Sequence, residues 1–178
     1  IDGDEAGRNF FMYNNYIGAP TAVLIRKKFL RDNDLCFTEN EPGFSSAVDV
    51  STWLQLLSQG NLFISPDLLS ACHVHAGQAS HLIYTPSLAA IGYVKFLKAA
   101  LERKVFFHSD EQIRRAIFFI LNLSLNSLIT AHNQNYHSEE IETLENCFSA
   151  MAQALTNGYH FEIPEIKYSE QDPLNKMH

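Results

Sequence analysis

The sequence predicts an α+β fold that is mainly helical, with a few short strands early in the chain and a bundle-like region of three helices after them. Up to about residue 80, short apolar runs are interrupted by Gly, Pro, Asn and Asp, which is typical of strands and loops around helices. From Pro86 onward, apolar residues recur at helical spacing. We therefore divide the chain into a mixed part, residues 1–83, and a helical part, residues 84–178, that ends in an extended tail.

The strands are expected at three places in the mixed part. Thr21–Arg26 is a short, β-prone apolar run that follows the turn signal Gly18-Ala19-Pro20. Asn61–Ser65 and Leu68–His75 are two further candidates, separated by Pro66-Asp67.

A helix is expected over Asp49–Gln59, and Gly60 is placed to end it. Asp49 then lies at the helix start, where backbone N–H groups and the helix dipole stabilise a carboxylate. Two interpretations stay open: Asp49 is an N-cap, a role that Ser46 or Ser51 could share, or it is a general base that removes a proton from an attacking hydroxyl. The apolar positions that predict this helix are Val50, Trp53, Leu54 and Leu57.

Three helices are expected after residue 86. Residues 88–101 and 141–155 each carry one apolar stripe at helical spacing. Residues 113–128, between them, are apolar on more than one side. We therefore expect the middle helix to be central and clasped by its two neighbours.

The composition predicts a folded protein, and its charge predicts no binding to nucleic acid. Of its 178 residues, 46% are hydrophobic and 19% are charged, as in ordinary soluble domains. There are 13 Lys and Arg against 20 Asp and Glu, for a net charge of −7. This negative charge opposes binding to nucleic-acid phosphates and to anionic lipid headgroups.

The cysteine pattern and the length of the apolar runs predict the cellular compartment of the protein. Cys36, Cys72 and Cys147 are widely spaced and odd in number, which does not describe a disulfide framework. We expect reduced thiols in a cytoplasmic protein. No uninterrupted apolar run approaches the ~20 residues that span a bilayer, so no transmembrane segment is expected. The chain begins at Ile1 rather than Met, and we expect it to be a segment of a longer protein.

Two short motifs could bind a metal ion. In Cys72-His73-Val74-His75, on an expected strand, the alternation of side chains places both histidines on one face. Either these imidazoles bind a metal, or they are polar residues leading from a strand into a loop. Asp2-Gly3-Asp4 matches a D-x-D motif, but such a motif holds a cation at the end of a buried strand, and only Ile1 precedes it. We interpret it as an acidic loop that leads into a first helix.

Three segments, in this order, resemble the latter half of family 2 glycosyltransferases, which have a GT-A-type fold. Residues 15–27, NYIGAPTAVLIRK, resemble the family's Asn, Gly-x-Pro-Ser/Thr turn, apolar strand and closing Arg. Residues 47–60, AVDVSTWLQLLSQG, resemble the stretch in which an Asp precedes a Trp-Leu-x-Leu helix and a Gly. Residues 68–80, LLSACHVHAGQAS, resemble the family's Leu-Ser, aromatic, Arg-x-His and Gly-Gln-x-Ser. The resemblance covers about residues 10–80.

The resemblance implies that residues 1–83 are the acceptor-side portion of a glycosyltransferase domain, a partial GT-A-type C-terminal subdomain. Asp49 would correspond to the catalytic base that deprotonates the acceptor hydroxyl. His75 would correspond to the histidine of Arg-x-His, near the donor's diphosphate or its metal ion, with His73 at the position of the Arg. The other implied binding residues are Gly18, Pro20 and Thr21 at the acceptor floor and Gln78 and Ser80 in the loop after the last strand.

The function that the resemblance implies is inverting transfer of a sugar from a nucleotide-sugar to a glycan or protein acceptor, as in polysaccharide biosynthesis. Family members carry a nucleotide-binding half with a D-x-D motif and a divalent cation, Mg or Mn, which we expect upstream in the full-length parent. We expect no tight cation binding by this segment, no activity from it alone, and a cytoplasmic location that includes the inner face of the membrane. The alternative is a non-catalytic helical protein-interaction module derived from a glycosyltransferase.

Overall fold

The described part of the chain is an assembly of five helices. The structure is a computed structural model that describes residues 1–18, 22–28, 48–67, 71, 86–135 and 138–163. Within these residues no β-strand forms. The helices are α1 (Gly3–Tyr13), α2 (Val48–Leu57), α3 (Pro86–Glu102), α4 (Asp110–Asn133) and α5 (Glu139–Ala154).

The predicted α+β fold, with a GT-A-type subdomain containing strands, is therefore wrong for the described residues. Residues 22–26 and 61–65, both expected as strands, form no strand. A β-prone run becomes a strand only where a neighbouring strand pairs with its N–H and C=O groups along its length. In the second run Leu62 exchanges backbone hydrogen bonds with Ile1, at 3.0 Å and 2.8 Å, and this single pair does not extend into a ladder.

Large apolar side chains in the two runs are also exposed to solvent. Leu24 is 98% exposed and Phe63 is 88% exposed. Without burial on one face, the apolar residues of such a run contribute little to folding. The third expected strand, Leu68–His75, lies outside the described residues, apart from Ala71.

The three helices expected after residue 86 are present as α3, α4 and α5, and they pack against one another. The side chain of Ser109 caps α4 by accepting a hydrogen bond from Gln112 N at 3.4 Å. The helix α4 also packs against α1, so it contacts three other helices. Its core face includes Ile117 and Ile120, which are fully buried. The opposite face is exposed, so α4 is less enclosed than its apolar sequence predicts.

The first helix, α1, packs into the core and reaches close to two other segments. Phe10 and Phe11 are fully buried, and the Phe10 ring stacks on Tyr93 of α3 with centroids 5.1 Å apart. Gly3 packs against the backbone at the end of α2, where a β-carbon would lie 2.2 Å from Leu57 O. Such close approach is possible only for a residue without a β-carbon. The packing of α1 therefore depends on glycine at its start.

The helix α4 is also long and apolar enough, by length and composition, to cross a membrane. Of its most apolar window, 28% is buried inside the protein. Core helices of soluble proteins meet the same two criteria. The length and composition of α4 therefore fit a core helix as well as a membrane span.

Candidate functional site

Asp49, the residue predicted as a catalytic base, lies in the first turn of α2 and is partly exposed. The helix begins at Val48, so Asp49 lies inside the helix and is not its N-cap. Its Oδ1 accepts a hydrogen bond from Val50 N at 2.8 Å. A carboxylate at this place stabilises the N-terminal end of the helix and can still reach solvent. Asp49 therefore has a role in the fold that is compatible with a role in proton transfer.

Trp53 joins α2 to the turn at Gly18. Its side chain is 5% exposed, and its indole Nε1 donates a hydrogen bond to Gly18 O at 3.3 Å. Trp53 follows Asp49 by four residues, so the two side chains project from the same side of α2. One predicted site residue, Gly18, thus contacts the helix that carries another, Asp49, and the contact is made by Trp53, which the sequence indicated only as a packing residue. A signal was present in the sequence, because a buried indole N–H needs an acceptor.

The turn that ends at Gly18 is held by a side chain on its own N-terminal side. The Oδ1 atom of Asn15 accepts hydrogen bonds from Ile17 N and Gly18 N, both at 3.2 Å. Gly18 has a φ of +91°, a conformation that favours glycine. The sequence Asn-x-x-Gly therefore builds a defined turn whose last carbonyl faces Trp53.

Two tyrosines fix this turn to the helices around it. Tyr93 of α3 donates its hydroxyl hydrogen to Asn14 Oδ1 at the C-terminal end of α1. Tyr16 donates to Ala6 O at 2.9 Å. Burial, and secondarily the nearby Glu5 carboxylate, raises the pKa of Tyr16 above its ordinary value, so its hydroxyl stays protonated as a donor. The turn is therefore positioned by the core.

The remaining predicted site residues lie outside the described residues. The proximity of Asp49 to His75 and a metal-binding role of His75 therefore stay predictions. The residues concerned are Pro20, Thr21, His73, His75, Gln78 and Ser80.

The D-x-D motif near the start of the chain makes contacts that belong to the fold. Asp2 caps α1, its Oδ1 accepting from Asp4 N at 3.0 Å. Asp4 accepts from Phe106 N at 3.4 Å and pairs with His108 Nε2 at 3.1 Å. Across the described ranges, no group of three or more His, Cys, Asp or Glu side chains is arranged to hold a metal ion. The first helix begins at Gly3, directly after the capping aspartate.

A surface groove of about 210 Å³ lies between the end of α3 and residues 158–162. Its charged groups are already paired, since Lys98 Nζ lies 2.8 Å from Glu162 Oε2 and 3.6 Å from Glu102 Oε1. The hydrogen bond to Lys98 lowers the pKa of Glu162. Exposed ion pairs of this kind contribute little to stability and offer no reactive group.

The one described cysteine, Cys147, is predicted to be unreactive in the folded protein. It is fully buried in α5, and burial raises its pKa to about 11. At pH 8 the thiol is therefore protonated, and iodoacetamide should alkylate it at least about tenfold more slowly than in denaturant, as peptide mass spectrometry would measure. The neutral thiol is the form that the fold favours, so its contribution to stability is present below about pH 9 and is lost as the pH rises toward 11. Equal labelling rates in the two states would contradict this burial.

In comparisons with protein-family models, with curated proteins and with solved structures, nothing matches this chain.

Proposed function

We propose that this chain supplies the acceptor-binding and base-bearing part of an inverting sugar transferase that uses a nucleotide-sugar. The observation that carries the proposal is the hydrogen bond from Trp53 Nε1 to Gly18 O. It joins the first two of the three segments that resemble family 2 glycosyltransferases, the Gly18 turn and the Asp49 helix. The bond holds the Gly18 turn against the helix that carries Asp49, which is the arrangement that the proposal needs.

In this proposal Asp49 takes the proton from an acceptor hydroxyl. The hydroxyl oxygen then forms a bond to the anomeric carbon of the donor sugar, on the face opposite to the nucleotide. The bond between that carbon and the diphosphate oxygen breaks, and the nucleoside diphosphate leaves with the electron pair. Asp49 lies in a first helical turn and is partly exposed, which gives an acceptor access to its carboxylate. Gly18, next to Trp53, would form part of the floor on which the acceptor rests.

The proposal includes a divalent cation in the full-length parent, and the described residues do not provide a site for it. Of their acidic side chains near the start of the chain, Asp4 contacts Phe106 and His108, and no ligand group is assembled there. We therefore assign no reaction step to a cation in this segment. The nucleotide-sugar and its cation would bind mainly to a nucleotide-binding half elsewhere in the parent. We place the parent in the cytoplasm or at the inner face of the membrane, acting in glycan assembly.

The test is the substitution Asp49→Asn in the full-length parent, with nucleoside diphosphate release measured from candidate nucleotide-sugars. Loss of a general base should lower kcat on the order of 100-fold. The amide keeps an oxygen that can accept from Val50 N, so the melting temperature should change little. Asp67→Asn is a matched control, because Asp67 is an exposed carboxylate in the loop after α2 whose side chain accepts a hydrogen bond from Ser65 Oγ at 3.1 Å. Full activity in Asp49→Asn would remove this residue from the mechanism.

The alternative proposal, a non-catalytic helical interaction module, is supported by the helical character of the described residues. It is also supported by the contact between Asp49 and Val50 N, which gives the carboxylate a purely structural use. The ~150 residues upstream of Ile1 in the parent separate the two proposals, since a transferase needs a nucleotide-binding half with a D-x-D motif there. A parent without one would favour the interaction module.

A further inference from the structure

The turn after α5 contains the one Asn-Gly dipeptide in the sequence, Asn157-Gly158. In such a dipeptide the backbone nitrogen of the glycine can attack the side-chain amide carbon of the asparagine and close a five-membered succinimide ring. Glycine favours this reaction because it has no β-carbon to block the approach and because its backbone reaches more conformations than that of other residues. The same ring can form at an Asp-Gly dipeptide, and the sequence also has one of these, Asp2-Gly3.

The fold holds Asp2-Gly3 away from this reaction. Gly3 is buried, and its backbone nitrogen donates a hydrogen bond to Asn61 Oδ1 at 3.2 Å. The carboxylate of Asp2 accepts hydrogen bonds from Asp4 N at 3.0 Å and from Glu5 N at 3.4 Å. Ring closure would require the glycine nitrogen to leave its acceptor and the carboxylate to leave the helix cap, which would break the start of α1. This dipeptide is therefore protected while α1 is folded.

The backbone of Asn157-Gly158 has none of these restraints. Both residues are exposed. Gly158 has a φ of +80°, and a β-carbon there would meet no atom within 4 Å, so the space around this residue is open. Within the described part of the chain, Gly158 N donates no hydrogen bond. The nitrogen that would attack is therefore accessible and has no acceptor to leave.

The side chain of Asn157 is held only weakly. Its Oδ1 lies 3.3 Å from Thr156 Oγ1, and that hydroxyl lies closer to Gln153 O, at 2.8 Å. A threonine hydroxyl has a single hydrogen to donate, so it can stay on Gln153 O while the Asn157 amide rotates toward Gly158 N. When the hydroxyl does contact Oδ1, it stabilises the negative charge that develops on this oxygen during the attack.

We propose that Asn157 is a site of spontaneous deamidation in the folded chain. Gly158 N gives its proton to a base in the solvent, and its electron pair forms a bond to Asn157 Cγ. The bond from Cγ to the amide nitrogen then breaks, and this nitrogen takes protons from water and leaves as ammonia. Water next opens the ring at one of its two carbonyl carbons. Opening at Cγ gives an aspartyl residue, and opening at the main-chain carbonyl carbon gives an isoaspartyl residue, whose main chain contains one additional methylene group.

The isoaspartyl product alters the turn that follows α5. A backbone hydrogen bond from Tyr159 N to Ala154 O, 2.9 Å long, spans the reacting dipeptide. Beyond it, Arg114 Nε donates to the Tyr159 hydroxyl at 2.8 Å and Phe161 is buried, so the following residues are attached to the helices. An additional methylene between two such fixed points changes the length of the main chain. The isoaspartyl form should therefore lose the bond to Ala154 O, whereas the aspartyl form should keep it.

The first test is incubation of the chain at mildly alkaline pH, both native and in guanidinium chloride, followed by peptide mapping with mass spectrometry. Asn157 should gain the mass of the exchange of NH2 for OH in the native chain, at a rate within roughly tenfold of that in denaturant, because helix ends open at almost no cost in free energy. Isoaspartate at Asp2 should appear only in denaturant. Asn157→Gln should abolish the native modification. A native rate at Asn157 more than about tenfold below the denatured rate, or equal native and denatured rates at Asp2, would overturn the proposal.

The second test compares the unmodified chain, the variant Asn157→Asp and the isoaspartyl form by amide hydrogen exchange. Deamidation makes the net charge one unit more negative than −7, so ion exchange separates the products from the unmodified chain. Asn157→Asp is the matched control, because it has the same added charge and a normal main chain. The Tyr159 amide should be protected in the unmodified chain and in Asn157→Asp, and should lose its protection in the isoaspartyl form. Equal protection in all three would contradict the effect assigned to the additional methylene.

Discussion

The substitution Gly3→Ala is expected to lower the free energy of unfolding by about 3 kcal/mol, the upper range for inserting a methyl group into a packed site. A β-carbon at this position would lie 2.1 Å from Gly60 O and 2.2 Å from Leu57 O. Both atoms belong to the backbone, so no side chain can rotate to make room. The helix α1 would have to move away from α2 and weaken the hydrogen bond from Gly3 N to Asn61 Oδ1. Chemical denaturation followed by circular dichroism measures the change.

Gly92→Ala is the control for this substitution. Gly92 lies inside α3, and a β-carbon there would come only within 4.0 Å of Phe96 Cε2, an ordinary contact. Alanine also loses less backbone entropy than glycine on entering a helix, so this variant should gain roughly 0.5–1 kcal/mol. The same change should therefore have opposite signs at the two glycines. A stable Gly3→Ala variant would show that α1 and α2 do not pack as described.

The substitution Phe106→Ala is expected to cost about 4 kcal/mol, as is typical for removing a buried aromatic ring. Phe106 is fully buried in the connection between α3 and α4. Its ring occupies the space beside Gly7, where a β-carbon would lie 2.3 Å from Phe106 Cδ1, and it lies 6.2 Å from the Phe11 ring. The smaller side chain would leave a cavity against α1. Thermal and denaturant melts measure the loss.

A second variant distinguishes the effect of losing the Phe106 ring from the effect of the backbone conformation at this position. Phe106 has a φ of +69°, which is strained for a residue that carries a β-carbon. Phe106→Gly removes the same ring but relieves the strain, so it should be more stable than Phe106→Ala by about 1 kcal/mol. At ordinary positions the order is reversed. An alanine variant more stable than the glycine variant would contradict the backbone conformation, and a small loss in both would contradict the packing of the ring.

The helices after residue 86 could be predicted from the sequence because each depends on a local apolar period. The pattern from Leu88 to Leu101 needs only one packed face, and any neighbouring apolar helix can supply it. The strands could not be predicted in the same way. The run from Ala22 to Arg26 has β-prone residues, but a strand also needs a partner, and the identity of that partner is not encoded in the run itself. The expectation of an α+β fold failed at this step.

The candidate site was predictable to a different extent. Asp49 could be placed at a helix start from spacing alone, and the helix is there. Spacing could not predict that Asp49 lies inside the first turn. Helix boundaries depend on local hydrogen bonds that spacing does not specify. The link between Trp53 and Gly18 joins residues 35 apart, and such a contact depends on how α2 lies against the turn. A sequence pattern shows that the indole needs an acceptor and does not show which carbonyl supplies it.

The position of Trp53 gives the chain its own optical reporter. It is the single tryptophan in the sequence, so all tryptophan fluorescence comes from the contact between α2 and the Gly18 turn. A ligand that shifts this turn should change the emission of the indole without any label attached. Small molecules can therefore be screened by titration against the unmodified protein, and an emission change that saturates would show binding that alters the surroundings of Trp53.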